Sequence, residues 1–126
     1  MDKQIKPTES ELEILDVLWD KQQATVREVH EKLSEHKEAV YTTTLKLMQI
    51  MFDKNLVTRD DSRKTHIYTP AVSREQTQQV MVHRMIDNLF KGSSTSLVLQ
   101  ALGNHEASEE ELNQIEKLIA SLKTKK

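Results

Sequence analysis

Four times along this chain a hydroxyl residue is followed three positions later by an acid or amide: Thr8 and Glu11, Thr25 and Glu28, Ser73 and Gln76, Ser108 and Glu111. At that spacing the hydroxyl accepts from an unbonded first-turn amide, and the later side chain reaches back to the amide of the hydroxyl residue. Each pair therefore predicts a helix start. The stretches that follow are amphipathic. Leu12, Leu15, Leu18 and Trp19 share a face after the first start, with Ile14 beside them, and Val26, Val29 and Leu33 share one after the second. Residues 41 to 54 predict a third helix with Leu45, Met48, Met51 and Phe52 on its core stripe and Asn55 as a left-handed cap at its end.

Past Asn55 the period changes. Val57 to Asp60 and Thr65 to Thr69 are short β-branched segments separated by Asp61-Ser62-Arg63-Lys64, which predicts a hairpin with an exposed basic tip, closed by Pro70. Three helices and a hairpin within about seventy residues describe a winged helix-turn-helix domain, whose third helix enters the DNA major groove. The fold class expected is thus mostly α, with a winged helix-turn-helix domain over residues 1–72 and a helical dimerisation domain over 73–126.

The third helix begins Tyr41-Thr42-Thr43-Thr44. Short side chains there let the backbone approach a groove, and a threonine offers a hydroxyl to phosphate or base edges and a methyl to thymine. Tyr41 adds a longer donor and Lys46 a mobile charge, while the helix N-terminus favours phosphate. Hydroxyls are equally at home as the surface cap of a core helix, and these residues alone leave both interpretations standing. The net charge of −2 does not itself suggest nucleic acid, so the case rests on local charge and motif.

In the last third, Val80, Met81, Met85, Ile86, Leu89 and Phe90 form a stripe on a helix expected from Ser73 to Phe90 and ended by Gly92. Leu97, Val98, Leu99 and Leu102 make a short apolar segment, and Leu112, Ile115, Leu118, Ile119 and Leu122 a final amphipathic helix opened by Glu109-Glu110-Glu111. Some fifty residues in three helices cannot bury that much apolar surface alone, so a two-fold partner is expected, with Val80, Met85, Leu89, Ile115, Leu118 and Leu122 at the interface.

Other chemistries find little support. The chain has no cysteine, which excludes disulfides and thiolate metal sites or nucleophiles. His30, His36, His66, His83 and His105 are scattered, and the one metal-like spacing, His83 with Asp87, is better taken as structural or solvated, so no metal and no cofactor are expected. Neither a glycine-rich phosphate loop nor a catalytic constellation is present, so the chain is not expected to be an enzyme. The polar start MDKQIKPTESE lacks a signal peptide's apolar core, and no apolar run approaches the roughly 18 residues that span a bilayer, which gives a cytoplasmic expectation without membrane insertion.

ELEILDVLW, VYTTTLKLMQIMFDKNLVTR, IYTPAVSREQ and SLVLQAL, in that order, resemble the winged-helix repressors of penicillinase and methicillin-resistance genes, the BlaI/MecI/CopY family. The resemblance covers nearly the whole chain. It implies a dimeric transcriptional repressor that binds inverted repeats in double-stranded operator DNA. It places Tyr41, Thr42, Thr43 and Lys46 at the DNA, with Arg59, Arg63 and Lys64 on or beside the wing. It also implies a membrane sensor-protease as a partner, acting at the segment that here reads Gln100-Ala101.

The chain departs from that family in several places. Many members carry arginine where this chain has Gln49 and Ile50, and glycine where it has Asn55, so fewer phosphate contacts are expected. The penicillin-responsive members are cleaved at an Asn-Phe bond, which Gln100-Ala101 does not reproduce. The copper-responsive branch carries C-terminal cysteines that are absent here. A second functional class is a winged-helix module that docks a partner protein through the third helix. Gln49 and Ile50 lean toward that class, whereas Lys46, Arg63 and Lys64 lean toward DNA.

Overall fold

The computed structural model describes residues 6–103 and 106–125, so the polar start Met1 to Ile5 and His105 lie outside the described residues. In chain order the elements are α1 (Glu9–Lys21), α2 (Val26–Leu33), α3 (Tyr41–Asp53), β1 (Val57–Asp60), β2 (Ile67–Pro70), α4 (Arg74–Asn88), α5 (Ser94–Gly103) and α6 (Glu109–Thr124). The chain divides into two compact units, Met1–His83 and Arg84–Lys126.

All four predicted helix starts carry their reciprocal caps. Thr8, Thr25 and Ser108 accept from the amides of Glu11, Glu28 and Glu111 and are capped back by them. Ser73 and Gln76 do the same at 3.0 and 3.1 Å. The end of α3 is equally well determined. Asn55 adopts φ 65°, its amide bonds Phe52, and the Leu56 amide bonds Met51, so two otherwise orphaned carbonyls are satisfied as the chain turns toward β1.

In the first unit α1, α2 and α3 close over a core of Ile14, Leu15, Val17, Leu18, Ala24, Val26, Val29, Met48, Met51, Leu56, Val57 and Tyr68. Two details differ from the periodicity. Leu12 is only half-buried, and Val17 takes a core place. Thr44, third in the threonine run, is buried to 2% exposure with Met48 and Met51, and its hydroxyl reaches the Val40 carbonyl at 3.5 Å.

The hairpin pairs β1 and β2 antiparallel, with Arg59 opposite Tyr68 and Val57 opposite Pro70. The second strand is displaced from the expected Thr65 to Thr69. Residues 61–66 form the connecting loop, in which Asp61 accepts from Arg59 and lies 3.6 Å from the Nδ1 of His66. Tyr68 also exchanges both backbone hydrogen bonds with Ala24, so the segment between α1 and α2 adds a short third rung on the far side of β2. These elements form the winged helix-turn-helix expected from the sequence.

The division between units falls within α4, later than the expected boundary after residue 72. The beginning of α4 is held to α1: the Trp19 indole donates to the Val72 carbonyl at 2.9 Å, Arg74 bonds Asp16 and Asp20, and Thr77 is buried. Helix α4 ends at Asn88, and the chain leaves it through Lys91 and Gly92, both at positive φ. The Gly92 amide closes the turn on the Ile86 carbonyl. No helix among the described residues is long and apolar enough to cross a membrane.

Candidate nucleic-acid interface

Helix α3 starts differently from its neighbours. Its N-cap is Val40, in extended conformation with no side-chain cap hydrogen bond, while hydroxyls of the kind that cap other helices stand two to four places inside the helix. The Thr43 amide bonds the Val40 carbonyl at 3.0 Å, which leaves the Tyr41 and Thr42 amides without a cap among the described residues, at the positive end of the dipole. Of the three threonines, Thr44 faces the core and Thr42 and Thr43 face solvent.

At about 100° per residue, Thr42, Thr43, Lys46, Gln49, Ile50 and Asp53 fall within roughly one third of the helix circumference, opposite Thr44, Met48 and Met51. All six are exposed. Among the described residues, none of the side chains of Thr42, Thr43, Lys46 and Gln49 has a hydrogen-bond partner within the chain, so their donors and acceptors remain available.

Tyr41 stands at the edge of this stripe, 38% exposed, with its ring held by α2. The His30 ring meets it edge-on at 5.4 Å, and the Arg27 guanidinium lies 5.5 Å from its centroid. The Nδ1 of His30 is buried without a hydrogen-bond partner among the described residues. Sequence reasoning missed Arg27 and His30 as supports of Tyr41. Their three-residue spacing on α2 was the available signal, but it does not say which neighbour they face.

The wing residues are not equivalent. Arg63 and Lys64 are exposed in the 61–66 loop, in accord with a basic tip. Arg59 is already committed: its Nε and a terminal nitrogen bond the two Asp61 oxygens at 2.7 and 3.3 Å, and its guanidinium lies 4.1 Å from the centroid of the Phe52 ring. Those contacts leave its side chain 22% exposed, and the hydrogen bond it donates to Asp61 raises its already high pKa. Arg59 thus fastens the hairpin to α3, and it is not the open grip that its charge alone suggested.

Asp60 turns the chain into that loop, accepting from the Ser62 amide at 2.9 Å. Hydrogen bonds from Ser62 hold its carboxyl below the ordinary 3.8, with nearby Arg63 adding to the effect. Because the folded value is the lower one, the stabilisation is fully present above the unfolded value and is lost as pH falls through the folded value. A carboxyl NMR titration should find Asp60 below 3.8, and Ser62→Ala should move it upward. A normal value in the intact chain would mean that the turn is not formed in solution.

Of the predicted dimerisation residues, Val80 and Met85 lie on α4, Leu89 in the turn just after it, and Ile115, Leu118 and Leu122 on α6. Val80 and Ile115 are half-buried, whereas Met85, Leu89, Leu118 and Leu122 are exposed. Across Arg84–Lys126 no described apolar side chain is buried, and Val98, Leu99, Leu102, Leu112 and Ile119 also stand open. Gln100 and Ala101 lie in α5, both exposed.

The penicillinase repressor family profile matches residues 7–121. The penicillinase repressor of Bacillus licheniformis is 24% identical over 94% of this chain and 93% of its own length. The DNA-binding domain of the repressor BlaI superposes with a TM-score of 0.52 at 22% identity, over 59% of this chain and 90% of that domain. An Escherichia coli MarR variant solved with operator DNA superposes at 0.50 and 14% identity, over 92% and 75% of the two chains. At those identities the structural likenesses support the winged-helix fold.

Proposed function

This chain belongs to the penicillinase repressor family, and on that premise we propose that it is a transcriptional repressor that binds double-stranded operator DNA as a homodimer. The observation that carries the proposal is the face of α3: an uncapped helix start continued by an exposed row of side chains with unused hydrogen-bonding capacity. In the major groove, Thr42 and Thr43 meet base edges or phosphates, Lys46 supplies charge, and Tyr41 is presented by Arg27 and His30. Arg63 and Lys64 reach the flanking backbone from the loop.

The homodimer is supported by the open apolar faces of α4, α5 and α6. A second copy covers them with the same faces, as a two-fold interface requires. Two reading heads then stand on one axis, and the operator is an inverted repeat with half-sites about one helical turn, or a multiple of it, apart. A sensor-protease acting at Gln100-Ala101 would meet a helix, and α5 would have to open locally before that bond could lie extended in an active site.

Paired substitutions test the DNA-reading role. Thr43→Ala should weaken binding to the operator and spare scrambled duplex, since a base-edge contact is worth about 1 to 3 kcal/mol of discrimination. Lys46→Ala or Arg63→Ala should weaken both and lower the salt slope by about one unit each, because a phosphate contact releases counterions whatever the base. Absence of DNA affinity in low salt would leave the protein-docking alternative.

A further inference from the structure

We propose that Gln49 and Ile50 form a second reading turn of α3, with Gln49 selecting adenine and Ile50 packing on the methyl group of a neighbouring thymine. The inference rests on the DNA-reading role of α3 proposed above. The two residues continue the exposed stripe that begins at Thr42 and Thr43, one turn past Lys46. Between Thr42 and Ile50 the helix rises about 12 Å, which sets the two ends of the stripe well apart. The next member of the row is Asp53, exposed and negatively charged. A carboxylate is repelled by phosphate, so the footprint ends before it.

The chemistry of the pair fits an A·T-rich position. In the major groove adenine presents an acceptor at N7 and a donor at N6, which match the amide donor and carbonyl acceptor of a glutamine; guanine presents two acceptors and matches it less well. The Gln49 amide has no hydrogen-bond partner within the chain among the described residues. Ile50 keeps 37% of its surface open on this face of α3, opposite Met48 and Met51. A thymine methyl in the groove is an apolar surface of the right size.

Selection of binding sites from a random duplex library, using the full chain and circular dichroism to confirm folded variants, tests the pair. The wild-type chain should recover adenine at one position of each half-site. Gln49→Ala should lose that preference, with affinity for the selected site falling roughly 5- to 100-fold and affinity for scrambled duplex unchanged. Gln49→Glu, which can only accept, should move the preference at that position to cytosine. Uracil in place of thymine at the adjoining pair should weaken the wild-type chain and leave Ile50→Ala unaffected. An unaltered motif from both Gln49 variants would overturn its role while leaving operator binding intact, and indifference of the wild-type chain to uracil would overturn that of Ile50. Recovery of no motif by the wild-type chain would overturn the pair and the DNA-reading role together.

Discussion

Replacing Leu118 and Leu122 together with glutamate is expected to convert the chain to a monomer and to reduce operator affinity by about a hundredfold or more. The two leucines are 59% and 57% exposed, on a helix with no buried residue of its own. Charges placed there face desolvation without partners when a second copy docks. Once the two reading heads are separate molecules, the second half-site is no longer bound at high effective concentration, and the pairwise advantage is lost. The winged-helix unit should survive, because the buried apolar core lies within it. Trp19 is the single tryptophan of the chain and belongs to that unit, so its fluorescence reports on it alone. Sedimentation as a dimer would move the interface to the other open apolar faces, and a monomer with undiminished affinity would remove the need for a dimer.

The parts legible in the sequence were those set by local rules. Caps act over three residues, a left-handed asparagine over one, and strand alternation over four, so all four helix starts, the turn at Asn55 and the bounds of β1 agree with the structure. What local rules could not supply was the partner of each side chain. Arg59 and Arg63 differ little as residues in a basic hairpin, yet one is bonded to Asp61 beneath a phenylalanine ring and the other is exposed. The threonine run likewise looked uniform, but helical rotation sends Thr44 into the core and Thr42 and Thr43 outward. The second strand begins at Ile67 rather than Thr65 because its bounds follow its partners on β1, whose last residue, Asp60, pairs with Ile67.

The same limit hid the interaction on which the second large effect depends. Glu11 was visible as a helix cap, and Lys54 passed as an ordinary residue at the end of α3. Forty-three residues apart in sequence, they meet: the Lys54 ammonium bonds both Glu11 carboxylate oxygens, at 2.8 and 2.9 Å. One of those oxygens also accepts from the Thr8 amide at 2.9 Å. Glu11 is 2% exposed, so the ammonium replaces water that the carboxylate cannot reach, and the start of α1 is tied to the end of α3.

Lys54→Met should therefore destabilise the chain by about 3 kcal/mol, because it leaves a buried carboxylate with only its capping amide. Glu11→Ala should cost less, on the order of 1 to 2 kcal/mol, since it removes half of a capping box while Lys54, 29% exposed, can turn to solvent. Combining Glu11→Leu with Lys54→Met should recover much of the loss, as apolar residues of similar size often replace a buried ion pair at little net cost. Urea unfolding of these variants and of Glu11→Leu alone, followed by Trp19 fluorescence, measures the coupling. If Lys54→Met costs no more than Glu11→Ala, the carboxylate has found water or another donor, and the link between α1 and α3 is weaker than its geometry indicates. If the ordering holds, the ion pair ties down the end of α3, the helix proposed to read DNA. Lys54→Met should then also reduce operator affinity in the fraction of molecules that remains folded.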